Sequence, residues 1–283
     1  MTIDINAPII VGGFYRSGTS LVRRLLDSHS NIHCGPEIKF FKDVEQDYIN
    51  DSLGHVRFFS TLPSLGLDKN EILRIFGNAF VTAHELAAQK AKKKRWADKN
   101  PENVLHLNDW DTLLPNGFFF VHVVRDPLDA LASLNAIGFR KTVPQSFAKK
   151  VLLYKAFSEA GTTFAENNPG RSITIRYETL VNKPDDTVKT LFEFLGERAE
   201  PDVFKRYYLT ERGFGIEDPN VGKTKAIHAK SVGRGKKELT KAQIRIAETL
   251  LNTRFQMPGP SFQNFPFFRN FFRSISKHFM DPK

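Results

Sequence analysis

Residues 13 to 20 read Gly-Phe-Tyr-Arg-Ser-Gly-Thr-Ser: two glycines separated by four residues, then two hydroxyl side chains. Arg16 places a cation inside this frame, and Ser17, Thr19 and Ser20 supply hydroxyl donors. The backbone N–H groups of such a loop, backed by a helix N-terminus, form a cradle for an anion. A nucleoside-triphosphate loop has the same glycine spacing but requires Gly-Lys followed by Ser or Thr. Thr19 stands where that lysine would be, so the group that bridges β- and γ-phosphates is missing. The loop suits an anion other than a magnesium-bound triphosphate. Alone, it reads equally well as a serine-rich turn capping a helix.

The flanking sequence says how the loop is held. Pro8-Ile9-Ile10-Val11 is a β-branched run ending in Gly12-Gly13, and Leu21, Val22, Leu25 and Leu26 recur at helical spacing. The order is strand, loop, helix. A second apolar run, Gly117 to Val124, is stopped by Arg125-Asp126-Pro127. Pro127 suits a first helical turn, and Leu128, Leu131 and Leu134 continue the helix. A third strand, Ser172 to Tyr177, precedes Pro184 and an amphipathic helix through Val188, Leu191, Phe192 and Leu195, closed by Gly196. Residues 41–95 read as mostly helical; the basic Lys90-to-Arg95 run is either a solvated helix face or a basic patch. Strands alternating with helices imply a single α/β domain over residues 1–255, a P-loop-like doubly wound parallel sheet flanked by helices. Ligands of such sheets bind beyond the C-terminal strand ends, where both the loop and Arg125 fall.

Composition narrows the class. The 283 residues carry 41 Lys and Arg against 31 Asp and Glu, a formal charge of +10, so an anionic partner is expected. Cys34 is the only cysteine, which excludes an intrachain disulfide framework and a cysteine-based zinc site. No apolar run approaches the roughly 18 residues of a membrane-spanning helix, and the N-terminal residues lack a secretory pattern. The expectation is a soluble, cytoplasmic protein. Residues 256–283 change character, with six Phe between Phe262 and Phe272 followed by basic residues. This tail is expected to pack on the body or on a partner, with peripheral contact to an anionic membrane as the alternative.

Four blocks carry a family resemblance. FYRSGTSLVRRLLDSHSNIHCGPE (residues 14–37) resembles the 5′-phosphosulfate loop of sulfotransferases that use 3′-phosphoadenosine 5′-phosphosulfate (PAPS), closest to the tyrosylprotein sulfotransferase branch. VVRDPLDALASL (123–134) is similar to that family's 3′-phosphate motif. RYETLVNKPDDTVKTLFEFLG (176–196) resembles its Y-E-x-L segment, and SVGRGKKEL (231–239) stands at its S-x-G-R-W stretch, with Gly235 in place of the usual Trp. The blocks follow family order across residues 9–240.

The resemblance implies roles. Arg16, Ser17, Gly18, Thr19 and Ser20 would hold the 5′-phosphosulfate, with Arg16 also catalytic, while Arg125 and Ser133 would grip the 3′-phosphate. Tyr177 would lie beside the cofactor; Lys230, Ser231 and Arg234 would close over it. Glu37 aligns with the branch's catalytic glutamate and is the candidate general base, its usefulness growing if burial raises its pKa toward neutrality. His33 is a reserve base. Lys39 stands where the family has an arginine, and Lys99 resembles the lysine aimed at the leaving-group oxygen. Sulfuryl transfer by charged side chains and backbone N–H groups needs no metal, and the spent donor is adenosine 3′,5′-bisphosphate (PAP).

The acceptor is expected to be a small metabolite, natural product or glycan, through a hydroxyl or an amine. Phe139, Phe147 and Tyr207 are candidates to line its pocket or to pack in the core. A kinase-like phosphotransferase remains the enzymatic alternative. A basic polyanion- or membrane-binding protein is the non-enzymatic one, although no nucleic-acid-binding signature is present.

Overall fold

A computed structural model describes residues 4–41, 61–137, 143–209 and 226–253. The tail from residue 256 and Phe139 lie outside them. Among the described residues five parallel strands form one sheet in the order β2-β3-β1-β4-β5: β1 (Ile9–Gly13), β2 (Ile32–Cys34), β3 (Arg95–Lys99), β4 (Phe119–Val124) and β5 (Ser172–Arg176). β1 is central, in register with β4 from Ile9 opposite Phe119 to Gly13 opposite Val123.

Alternation along β1 and β4 builds two cores. Ile10 and Phe120 face one side, which α2 (Lys69–Lys90), α5 (Phe147–Asn167) and α10 (Lys241–Asn252) cover. Ile9, Val11, Val121 and Val123 face the other, covered by α1 (Thr19–Ser28) and α7 (Pro184–Phe194). The chain is thus an α/β domain with helices on both faces of a parallel sheet, as expected. Capping boxes fix two helix starts: Asp68 with Glu71 on α2, and Thr240 with Gln243 on α10. Gly196, at φ 72°, stops the chain beyond α7 in the manner its position implied. Between β3 and β4 lie a 3₁₀ turn (Pro101–Leu105) and α3 (Leu107–Leu113). α4 (Pro127–Ile137) follows β4, and α6 (Tyr177–Asn182) follows β5. α8 (Val203–Arg206) and α9 (Gly235–Glu238) are single turns.

Two features depart from the sequence reading. The helix expected to run to Arg95 ends at Lys90, and Arg95 opens a strand that the pattern did not announce. Its sequence, Arg-Trp-Ala-Asp-Lys, is polar, yet all five residues are buried. Nor is the Lys90-to-Arg95 run one solvated face. The Arg95 guanidinium is fully enclosed, donating to the carbonyls of Ala7 (2.8 and 3.1 Å) and Leu195 (2.7 Å) and to Glu197 (3.0 Å). Lys93 meanwhile reaches the carbonyl and carboxylate of Asp27 at the end of α1. Arg95 thereby ties the chain before β1 and the end of α7 to β3. Replacing Arg95 by Met should strand these acceptors and cost about 3–5 kcal/mol. Urea unfolding is the check: the midpoint should fall while the slope stays unchanged.

Candidate active site

The anion loop leaves β1 pressed against β4: a Cβ on Gly13 would lie 2.2 Å from the Val123 carbonyl oxygen. Gly18 caps α1 at φ 98°, and a Cβ there would meet the Tyr177 ring at 2.6 Å. Between them Arg16 adopts φ 66°, a left-handed conformation that costs a non-glycine residue about 1–3 kcal/mol. Among the contacts that hold it, Arg125 donates to the Arg16 carbonyl (2.9 Å), and Arg16 Nε donates to Ser133 Oγ (3.1 Å). Ser17, Thr19 and Ser20 are buried, and Ser17 Oγ has no hydrogen-bond partner.

Arg125 follows β4 and is buried, its carbonyl accepting from the Tyr154 hydroxyl at 2.6 Å. Its guanidinium lies 4.2 Å from the centre of the Tyr177 ring and donates to the Ser231 carbonyl at 2.7 Å. Its Nε has no partner. Burial lowers its pKa below the ordinary guanidinium value, which still leaves an arginine charged at neutral pH. The strand of chain across Arg125 is held by a residue the sequence did not single out. Buried Asp129 accepts from the backbone N–H groups of Gly233 and Gly235, both at 2.7 Å. Gly235 sits so close to Leu128 that a Cβ would lie 2.4 Å from its backbone, so this position has no room for a tryptophan. Together Arg16, Gly18, Arg125, Ser133, Tyr177 and Arg234 line a cleft whose apolar wall includes Tyr207. Tyr207 is a core residue as well, whereas Phe147 packs against the opposite core. Arg234 also binds Glu238, at 2.7 and 3.0 Å. Lys230 is exposed and does not line the cleft.

A second cluster lies on the other flank of the loop. β2 ends at Cys34, and the buried Arg23 of α1 grips the carbonyls of Cys34 (3.0 Å) and Gly35 (3.4 Å). Asn100 donates to the Ile38 carbonyl at 2.5 Å. These contacts hold Glu37 over the end of β3, where it pairs with the fully buried Lys99 through one oxygen and with Lys39 through the other (3.0 Å). Lys99 also lies 3.3 Å from Ser20 Oγ. Lys39 bonds Glu102 at 2.8 Å, and the Tyr15 hydroxyl donates to the second Glu102 oxygen.

Burial alone would raise the Glu37 pKa, the direction the sequence suggested. Lys99 and Lys39 together outweigh it and hold the carboxyl below its ordinary 4.5. Burial likewise opposes the charge on Lys39, but Glu102 and Glu37 reverse that and raise its pKa. His33 points elsewhere, its ring 3.3 Å from Asp27. Glu102 and Tyr15 escaped sequence reasoning, although Glu102 follows Lys99 by only three residues. Among the described residues no group of three or more His, Cys, Asp or Glu is arranged to hold a metal, and no helix is long and apolar enough to cross a membrane.

The packing of Gly18 against Tyr177 sets a stability test. Gly18→Ala adds a Cβ where φ is positive and the ring is in the way, and should cost about 1–3 kcal/mol. Thermal unfolding should register a drop of several degrees; an unchanged midpoint would mean that neither the positive φ nor the ring constrains this position.

Comparison with known proteins converges on one class. The model of the sulfotransferase family matches residues 8–201. A Caenorhabditis briggsae protein named putative protein-tyrosine sulfotransferase is 27% identical over 229 residues, 74% of this chain and 72% of that one. Of the chicken and zebrafish protein-tyrosine sulfotransferases the chain spans just over half, 56% and 58%. Among solved structures, the sulfotransferase domain of the Synechococcus PCC 7002 olefin synthase superposes with a TM-score of 0.60. It is 20% identical, covering 88% of this chain and 95% of that one. A mouse sulfotransferase complexed with PAP gives 0.50 at 14% identity, with 87% and 83% covered. The structural likenesses establish the fold, the family match extends from β1 past α7, and the chain belongs to the sulfotransferase family.

Proposed function

We propose that this sulfotransferase moves the sulfuryl group of PAPS in line to a hydroxyl or amine of an acceptor, with Glu37 as general base. One observation carries the reading: the anion loop has an arginine-lined cleft on one flank and, on the other, a buried ammonium paired with a partly buried carboxylate. The donor has two anionic ends, a phosphosulfate and a 3′-phosphate, and the cleft side suits the second. Arg125 Nε and Ser17 Oγ are buried polar atoms without partners, which fits groups meant for a ligand. The loop's backbone N–H groups, Arg16, Thr19 and Ser20 take the phosphosulfate; Arg125 and Ser133 take the 3′-phosphate beside Tyr177. Ser231 and Arg234 border the same cleft.

The chemistry balances with these side chains. An acceptor oxygen forms a bond to sulfur as the bond from sulfur to the phosphate oxygen breaks, and PAP leaves with that electron pair. Glu37 takes the acceptor's proton. Lys99 and Arg16 meet the charge that grows on the leaving oxygen, an interaction stronger in the transition state than before it. The mouse sulfotransferase solved with PAP supports the choice of donor. The acceptor class we favour is a small metabolite, natural product or glycan. Thr19 at the lysine position argues against a kinase.

The first test is calorimetric titration. Adenosine 3′,5′-bisphosphate should bind in the micromolar range and magnesium-ATP far more weakly; the reverse order would overturn the donor assignment. Arg125→Ala should weaken the bisphosphate at least about tenfold, the scale of a lost charge-assisted bond. Equal affinity would remove Arg125 from the site.

Glu37→Gln should abolish PAP release with every member of a panel of phenol, alcohol, amine, sugar and tyrosine-peptide acceptors, while bisphosphate affinity stays within about twofold. Because the two lysines depress the Glu37 pKa, the working carboxylate persists on acidification. Turnover of the wild type should therefore decline only below about pH 4.5. A limb near neutrality would point to an imidazole instead.

A further inference from the structure

Glu102 belongs neither to the anion loop nor to the Glu37–Lys99 pair, yet it is 5% exposed and its carboxylate is held at both oxygens. The Tyr15 hydroxyl donates to one, and the Lys39 ammonium binds the other at 2.8 Å while reaching Glu37 at 3.0 Å. Tyr15 is part of the anion loop; Glu102 lies in the 3₁₀ turn after β3. The contacts run Tyr15, Glu102, Lys39, Glu37, Lys99, Ser20, leaving the loop at one end and re-entering at the first turn of α1. The four charged members are two carboxylates and two ammoniums, Lys99 and Glu102 buried and Glu37 and Lys39 partly so, and the group balances as a whole.

We propose that Glu102 is a positioning residue for sulfuryl transfer: it shares the Lys39 ammonium with Glu37 and ties that ammonium to the anion loop through Tyr15. The proposal rests on the reading of Glu37 as base. Lys39 lies 2.8 Å from Glu102 and 3.0 Å from Glu37, so neither carboxylate holds it alone. With Glu102 neutralised, Lys39 would turn wholly to Glu37 and make it a poorer base. The charged groups facing Glu37 are Lys99 from β3, Lys39 from its own segment and Glu102 from the 3₁₀ turn; the direct repulsion between the two carboxylates acts in the same direction as the sharing, and the Lys39→Met/Glu102→Gln double variant separates them. In this arrangement the loop that takes the donor also sets where the base's counter-ion sits.

The experiment reads the Glu37 carboxyl directly in the full-length protein. Side-chain ¹³C NMR between about pH 3 and 7 follows its titration, the resonance being assigned by its loss in Glu37→Gln. Glu102→Gln should move the midpoint to lower pH by about half a unit or more, and Lys39→Met should move it up. A midpoint that stays put or rises in Glu102→Gln overturns the proposal. The Lys39→Met/Glu102→Gln double variant, compared with Lys39→Met, serves even where Glu102→Gln does not fold. With Lys39 gone there is no ammonium to share, so the second substitution should have a smaller effect than in the wild type. A downward step of half a unit or more there would mean Glu102 acts by its own field, and would also overturn sharing.

Turnover of PAPS with 4-nitrophenol supplies the kinetic arm. Glu102→Gln should lower kcat about tenfold or more at bisphosphate affinity within about twofold, with its acid limb tracking the NMR midpoint. A limb that ignores a displaced midpoint would sink the base assignment and leave the sharing of Lys39 intact.

Discussion

Lys99 has no exposed side-chain surface yet carries an ammonium, and the surroundings of the anion loop are arranged around that buried charge. An unpaired ammonium in an apolar interior would lose its proton or unfold its surroundings. Glu37 supplies the counter-charge, but only because Arg23 and Asn100 fix the backbone that carries it. Lys39 and Glu102 then complete a neutral group of four. The same linkage shapes response to acid. A carboxyl whose folded pKa is depressed adds stability above its unfolded pKa and withdraws it as pH falls through the folded value.

Sheet topology explains how two unlike sites share one loop. β1 lies between β3 and β4, so the loop leaving β1 is flanked by whatever those two strands deliver at their C-terminal ends. β3 delivers Lys99, in register with Val11; β4 delivers Arg125. One neighbour therefore provides the buried ion pair and the other the arginine cleft, with Arg16 strained between them. The strain at Arg16 is maintained from the β4 side, since both Arg125 and Ser133 bind it.

Much of this was legible in the residues, for physical reasons. β1 and β4 are β-branched or aromatic runs bounded by Gly-Gly and Arg-Asp-Pro, and the candidate site residues follow directly at their ends. β5 and α7 are read as easily from Ile173, Ile175 and Gly196. β3 was not legible, because Arg95, Asp98 and Lys99 make it polar, and burial of charge depends on partners far away in sequence. Arg95 is satisfied by Ala7, Leu195 and Glu197, which no local pattern connects. Asp129 and Glu102 were missed for the same reason: each is an acidic residue near a motif, and only the fold shows what it holds. The depressed pKa of Glu37 likewise needed both lysines in place, and Lys99 is 62 residues distant.

The position of Lys99 differs from that of the lysine in a triphosphate loop. In a triphosphate loop the lysine belongs to the helix start and is shaped by the same backbone that cradles the phosphates. Here the cation comes from the neighbouring strand and meets the loop at Ser20. Thr19, the first residue of α1, is buried and brings a hydroxyl to the position of that lysine. A strand-borne lysine is held by the β1–β3 register, while Arg23 and Asn100 hold the segment of Glu37, so sheet and segment together place the pair. The anion loop thus carries no lysine of its own, and the ammonium beside it arrives from the sheet together with a carboxylate partner.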